Sequence, residues 1–441
     1  MSDLVPTDPG PTPIPVPTPT PLPAAEVVFT VLPPEGTSPD DDLALILMDE
    51  VTGLAYNTTT HPLDRLDDGR WQVRLTPPVG SLLRYRYTRR APTPSDEANV
   101  DGKPIEYRVA QIPGPIQIND IIATWTDSSF QGPVGRIIGR ISDQENGIPL
   151  SEMIVVVAGL RTFSDGEGTF RIEGIPPGLH QLTAFHPTGE YQTVQQGAVI
   201  APESTTPVEL HVPRARKVQV TFEVTVPSDT IPGTPLRIAG NVHQMGNTFG
   251  QLAGGLSLAP PLMPSATLVT PTNYLAVVTL YSGTDLRYKY TLGDGLWNAE
   301  RNQNGFFVTR QLIVPDYDLI VKDTVSSWRN GKKGSVQLYV TIPEDTPASD
   351  QISLQFNPFT WFEPLPIWRL DENEWFYVLH GPLDFSGTVG YRYCRNLQCG
   401  SADDVTTASP NAMGRPMNST GGSQELRDEV EAWWWLEKEL P

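Results

Sequence analysis

The stretch LRYKYTLGDGLWNAERNQNG, residues 286–305, gathers side chains suited to one chemistry, the non-covalent binding of sugar. Trp297 offers a flat aromatic face, and a pyranose ring presents a matching face of C–H bonds. Asn298, Glu300, Asn302 and Lys289 supply donors and acceptors that could bond hydroxyls and fix orientation. The turn context GDGLWN predicts an exposed Trp297; the competing reading is a loop tryptophan packed on its own sheet. A second aromatic group, Trp361, Phe362 and Trp368, lies in the Pro-rich NPFTWFEPLPIW. It reads as a further sugar platform or as a hydrophobic plug for the end of a sandwich.

Covalent chemistry finds no comparable set. Glycoside hydrolysis needs two carboxylates flanking the bond. Fifty-one acidic residues give chance pairs, but none within a pattern of alternating strands and helices. The chain has no G-x-S-x-G elbow, H-E-x-x-H, Walker A loop or G-x-G-x-x-G, and its six histidines are scattered. The expectation is a non-enzymatic chain without cofactor or metal. Cys394 and Cys399 stand close together in CRNLQC, after a strand-like GTVGYRY. A short hairpin brings their sulfurs within bonding reach. A disulfide is expected, which implies an oxidising compartment; free thiols are the alternative. A metal site is disfavoured, because zinc wants about four ligands.

Composition narrows the scaffold. The 441 residues suffice for several domains, and 45 prolines with 37 glycines suit short strands and turns better than helices. No run of about 18 apolar residues exists, so no transmembrane helix is expected. A net charge of −20 repels phosphate backbones and argues against nucleic acid as a partner. Residues 1–25 form a Pro/Thr-rich linker, disordered or extended, with no apolar signal core. Such linkers commonly follow a signal peptide or lipid anchor, so an extracellular or cell-surface location is expected.

A threefold repeat organises the rest. Tyr85/Tyr87, Tyr288/Tyr290 and Tyr391/Tyr393 each flank one basic residue in a strand, so alternation puts both tyrosines on one face. An alternating strand opened by Trp71, Tyr274 or Trp375 and a turn precede each pair. The closing motifs INDIIATW, VKDTVSSW and LRDEVEAW share Asp, then Ile or Val, then Trp. The second tyrosine precedes that tryptophan by 38, 38 and 40 residues. The tail RDEVEAWWWLEKELP therefore reads as the closing strand of a third copy, although it looks like an amphipathic helix. Equivalent aromatics repeated within one chain suggest core packing. The copies span 26–130, 214–331 and 332–441, each with the strand spacing of a β-sandwich.

Copy two resembles the family 20 starch-binding modules, through Gly240-Asn241, Gly283, Tyr288-Lys289-Tyr290, Trp297, Glu300 and Asn302 in that order. Copies one and three carry the likeness more weakly: Tyr107 or CGSADD stands where copy two has Trp297. Residues 131–213, with IIGRI, GIPL, TFSDGEGTF and IPPG, resemble the carboxypeptidase regulatory-like domain, a seven-strand transthyretin-like sandwich that mostly serves as a spacer. Within it, Asp165 and Glu167 read as turn residues rather than a calcium site. These resemblances imply an all-β chain of tandem immunoglobulin-like β-sandwich domains. They also imply a non-catalytic array that binds polysaccharide, an α-glucan first; one form of this reading makes it the accessory part of a glycoside hydrolase whose catalytic domain lies beyond Pro441. The other reading is a structural cell-envelope stalk, adhesin or filament subunit.

Overall fold

The computed structural model describes residues 23–51, 56–231, 234–247, 260–293, 298–329, 335–357, 360–361, 364–380, 388–399, 403–407, 413–418 and 422–434. The fold is all-β, as expected: among these residues helix occurs as short single turns, such as His243–Met245, Pro260–Leu262 and Val405–Thr407. The Pro/Thr-rich linker falls outside the described residues except for its last three.

In the first repeat, one sheet orders the strands Asp64–Arg65, Trp71–Leu75, Val27–Leu32 and Ile116–Ile121. The facing sheet is built around Leu82–Ala91 and Asp42–Val51. In the second repeat all seven strands join in one path, because Ser265–Thr270 pairs with Leu236–Gly240 at one end and Asn273–Tyr281 at the other. The third repeat returns to two four-stranded sheets. Between the first two repeats lies a sandwich of three strands facing four, seven in all. Its Asp165 shapes a turn, accepting the N–H groups of Glu167 at 2.9 Å and Thr169 at 2.8 Å.

Alternation builds these layers. In Lys217–Thr225, Val218, Val220, Phe222 and Val224 face the core while the residues between them are partly or fully exposed. In every module the opening strand lies parallel to the closing one: Val27–Leu32 beside Ile116–Ile121, Lys217–Thr225 beside Leu319–Thr324, and Val336–Thr341 beside Gln424–Glu429. The spacer does the same with Gly135–Asp143 and Thr205–Val212.

The repeat motif ends differently from its sequence reading. The closing strands stop at Ile121, Thr324 and Glu429, short of the tryptophans. After the first and third of these strands the chain crosses to the facing side, where Trp125 pairs with Glu97 and Trp433 with Asp404. Trp125, Trp328 and Trp433 are buried between the sheets, and each indole N–H donates to a threonine hydroxyl: Thr37 at 3.0 Å, Thr230 at 2.9 Å and Thr346 at 2.8 Å. The third tryptophan of WWW, Trp435, lies outside the described residues; Trp434 is 39% exposed.

Among the strands buried on both faces, two share their outer face with a neighbouring module. In Ile154–Val157, Val155 and Val157 face the spacer core, while Ile154 and Val156 meet Met48, Tyr107 and Val109 of the first repeat. In Glu374–Leu379, Trp375, Tyr377 and Leu379 face the core of the third repeat, while Phe376 and Val378 complete that of the second. The modules are thus joined through apolar contacts as well as through their connecting chain.

Candidate functional site

Trp297, the centre of the expected sugar site, and Phe362 lie outside the described residues. The other members are placed, and the structure does not gather them on an open face. Asn298 is fully buried at the boundary between repeats two and three. Its Nδ2 donates to the Val378 carbonyl at 2.6 Å, and its Oδ1 accepts the His380 N–H at 3.0 Å. One amide side chain thereby satisfies two backbone groups of the next module, groups that would be costly to leave unpaired. Lys289 is also buried, with Phe307 beside its ammonium, whose centre is 5.8 Å from the ring centroid. Burial lowers its pKa to about 7, with Glu300 opposing the shift.

Asn302 shapes a turn: its Oδ1 accepts N–H groups from Asn304 at 2.9 Å and Phe306 at 3.1 Å. Trp361 stacks with Arg392, whose guanidinium carbon is 4.0 Å from its ring centroid. Trp368 packs at 5.7 Å from Phe376 and 5.1 Å from Tyr377, between the cores of repeats two and three. A Cβ on Gly293 would come within 2.6 Å of its indole nitrogen, so this close approach requires glycine. Of the two readings of the Pro-rich aromatics, Trp368 takes the packing one. Cys394 and Cys399 are joined in a disulfide, their Cα atoms 5.3 Å apart.

Glu300 belongs to an arrangement that recurs in all three repeats. Tyr288 and Tyr290 donate their hydroxyls to Asp323 at 2.9 and 2.7 Å. Arg310 spans that aspartate at 2.9 Å and Glu300 at 2.7 Å. In the first repeat Tyr85 and Tyr87 donate to Asp120 at 2.8 and 2.9 Å, and Arg108 links Asp120 at 3.0 Å to Glu97 at 3.1 Å. In the third, Tyr391 and Tyr393 both donate to Asp428 at 2.8 Å, and Arg415 reaches Asp404 at 2.9 Å and Asp428 at 3.6 Å. The repeated aspartate of the closing motif is therefore the acceptor for the repeated tyrosines, one residue serving two donors across the sandwich.

Electrostatics explains why the five residues travel together. Burial raises the Glu97 and Glu300 pKa values, and Arg108 and Arg310 oppose that rise. Burial alone would lower Arg108 and Arg310, yet the flanking carboxylates and tyrosines raise both. Burial, and then the neighbouring aspartate, lifts the tyrosines so that they stay protonated donors. Each carboxylate is committed to an arginine, and each tyrosine to the aspartate. This cluster is built to fix the sandwich rather than to act on a ligand. Glu300, placed among the sugar contacts by its sequence context, sits in this cluster.

No protein-family model matches the sequence, and no curated protein matches it. Among solved structures, the chain is similar to the Bacillus anthracis TIE protein at 12% identity, over 93% of this chain and 69% of that one, with a TM-score of 0.19. It is similar to a Streptococcal ancillary pilin at 11% identity, over 68% of this chain and 99% of that one, with a TM-score of 0.21. A glycoside hydrolase family 15 glucoamylase from Hypocrea jecorina matches at 20% identity over 27% of this chain and 20% of that one, with a TM-score of 0.20.

Proposed function

We propose that the chain is a non-catalytic scaffold of an extracellular or cell-surface protein, in which β-sandwich modules are locked to one another. The observation that carries this reading is the strand Glu374–Leu379. Its Phe376 and Val378 lie in the core of the preceding repeat, and Asn298 pins its end through two hydrogen bonds. A module that swung freely on a tether would keep that face polar. Solution scattering of the purified chain tests the idea. A single rigid particle is expected; a profile that fits only independently moving modules would overturn it.

A second reading keeps polysaccharide, an α-glucan first, as the ligand at the loop end of repeat two. One described residue favours it. Phe306 is 69% exposed beside Asn302 and Asn304, so a flat apolar face stands next to amide side chains. Trp297 belongs to the same region by sequence. Affinity electrophoresis in amylopectin, glycogen, β-mannan or plain gels tests this reading. Retardation by an α-glucan that is lost in Phe306→Ala or Trp297→Ala would establish it. Equal mobility in every gel would leave the scaffold alone.

A further inference from the structure

Where the first repeat, the spacer and the second repeat meet, they leave a small cleft of about 50 Å³ that opens to solvent. Arg84 and Gln111 line it from the first repeat, Phe185 and His186 from the spacer, and Asn241 and Thr284 from the second. Arg84 is 6% exposed. Its guanidinium carbon lies 5.4 Å from the Phe185 ring centroid and 5.9 Å from that of Tyr107. Among the described residues no carboxylate pairs with it, and its enclosed Nε has no acceptor. Thr284 Oγ1 in the same cleft is likewise enclosed and unpaired.

A buried guanidinium without a counterion is costly unless something supplies one. The equivalent arginine of the second repeat shows the usual solution: Arg287 pairs with Asp285 at 3.2 Å. In the first repeat Leu82 occupies the place of that aspartate. Asp285 lines the cleft too, but its charge is met by Arg287, by the Leu82 N–H at 2.8 Å and by Gln311 at 2.9 Å. The cleft therefore holds one unmatched positive charge and one neutralised carboxylate.

We propose that this cleft binds a small monocarboxylate, whose oxygens accept from Arg84 and whose body rests beside Phe185. A planar guanidinium matches a carboxylate in two parallel hydrogen bonds. One negative charge balances Arg84, whereas a dianion would meet Asp285 with charge left over. A ligand there touches three modules at once and ties them together. The inference is independent of which functional reading holds, because it uses none of the residues of the repeat-two loop.

The test is calorimetric titration of the full chain with acetate, D-glucuronate, D-glucose and inorganic phosphate, repeated on Arg84→Gln. Acetate or glucuronate should bind, glucose should not, and phosphate should bind less well than the carboxylates. Arg84→Gln should lose at least about tenfold in carboxylate affinity, the loss of a charge-assisted pair of bonds. Tighter binding of glucuronate than acetate would identify an acidic sugar as the preferred source of the carboxylate. The proposal fails if neither carboxylate binds, if phosphate binds as well as they do, or if folded Arg84→Gln binds unchanged. Should Arg84→Gln not fold, the ranking of the four probes on the natural chain decides the matter alone, and Thr284→Val supplies a milder variant whose carboxylate affinity should fall.

Discussion

The strands Asn273–Tyr281 and Glu374–Leu379 occupy the same place in repeats two and three. Each pairs antiparallel with the opening strand of its module, Tyr274 opposite Val224 and Trp375 opposite Val340. Their inward residues do the same work in both. Their outward faces differ: Leu275 and Val277 are exposed, whereas Phe376 and Val378 are buried against the preceding repeat. The same register thus makes an outer wall in one copy and a joint in the other. What decides between them is the neighbour, here Asn298 and the core of repeat two, rather than the strand.

Substitutions on the two faces should separate the joint from the wall. Phe376→Ala should cost about 3–5 kcal/mol in denaturant unfolding, because it empties a site shared by two cores. Leu275→Ala, at the matching position, should stay within about 0.5 kcal/mol. Arg310→Met should cost about 3–5 kcal/mol by stranding Glu300 and Asp323, yet it should act within repeat two and leave the joint's own hydrogen bonds in place. Asn298→Ala should cost about 1–3 kcal/mol, leaving the Val378 carbonyl and His380 N–H unpaired, and should enlarge the particle in solution scattering.

The joint should also respond to acid. Burial, and then the nearby Arg329, lowers the His380 pKa to about 4, with Asp229 opposing the shift. A base depressed in the folded state contributes stability that is present above its unfolded value of 6.5 and lost as pH falls through about 4. The unfolding midpoint of the natural chain should therefore drop between pH 6.5 and 4 by more than that of His380→Gln. Equal pH slopes would remove His380 from the account. The smallest effect is expected from Val277→Thr, on the exposed wall, within about 0.5 kcal/mol in either direction.

Much of the fold was legible in the sequence because it rests on alternation. The tyrosine pairs and the closing-motif aspartates keep their spacing since both are held in strands and bonded to each other across the sandwich. The rest of the buried cluster was not legible. Its acid follows the second tyrosine by 10, 10 and 11 residues, at Glu97, Glu300 and Asp404, but the signal is hidden because the residue changes type and lies in the strand Ser95–Ala98 in the first copy and outside the named strands in the others. The joints left a signal that went unused. IVVV and WFYVL are continuous apolar runs within a protein of alternating strands, and such runs mark burial on both faces. The other engagements of the residues read as sugar contacts were hidden for a related reason. Asn298, Glu300 and Lys289 have the residue types of a binding site, but types do not reveal that the next module, an arginine and a phenylalanine have already engaged them.

The parallel pairing of opening and closing strands has a mechanical consequence. Because the two strands run the same way side by side, the chain enters each module at one end of that pair and leaves from the other. Tension along the chain then slides the strands past each other, loading the row of ladder bonds together instead of peeling them off one at a time. Every module, spacer included, is wired in this orientation. A chain so assembled resists pulling in series, with each sandwich a clamp.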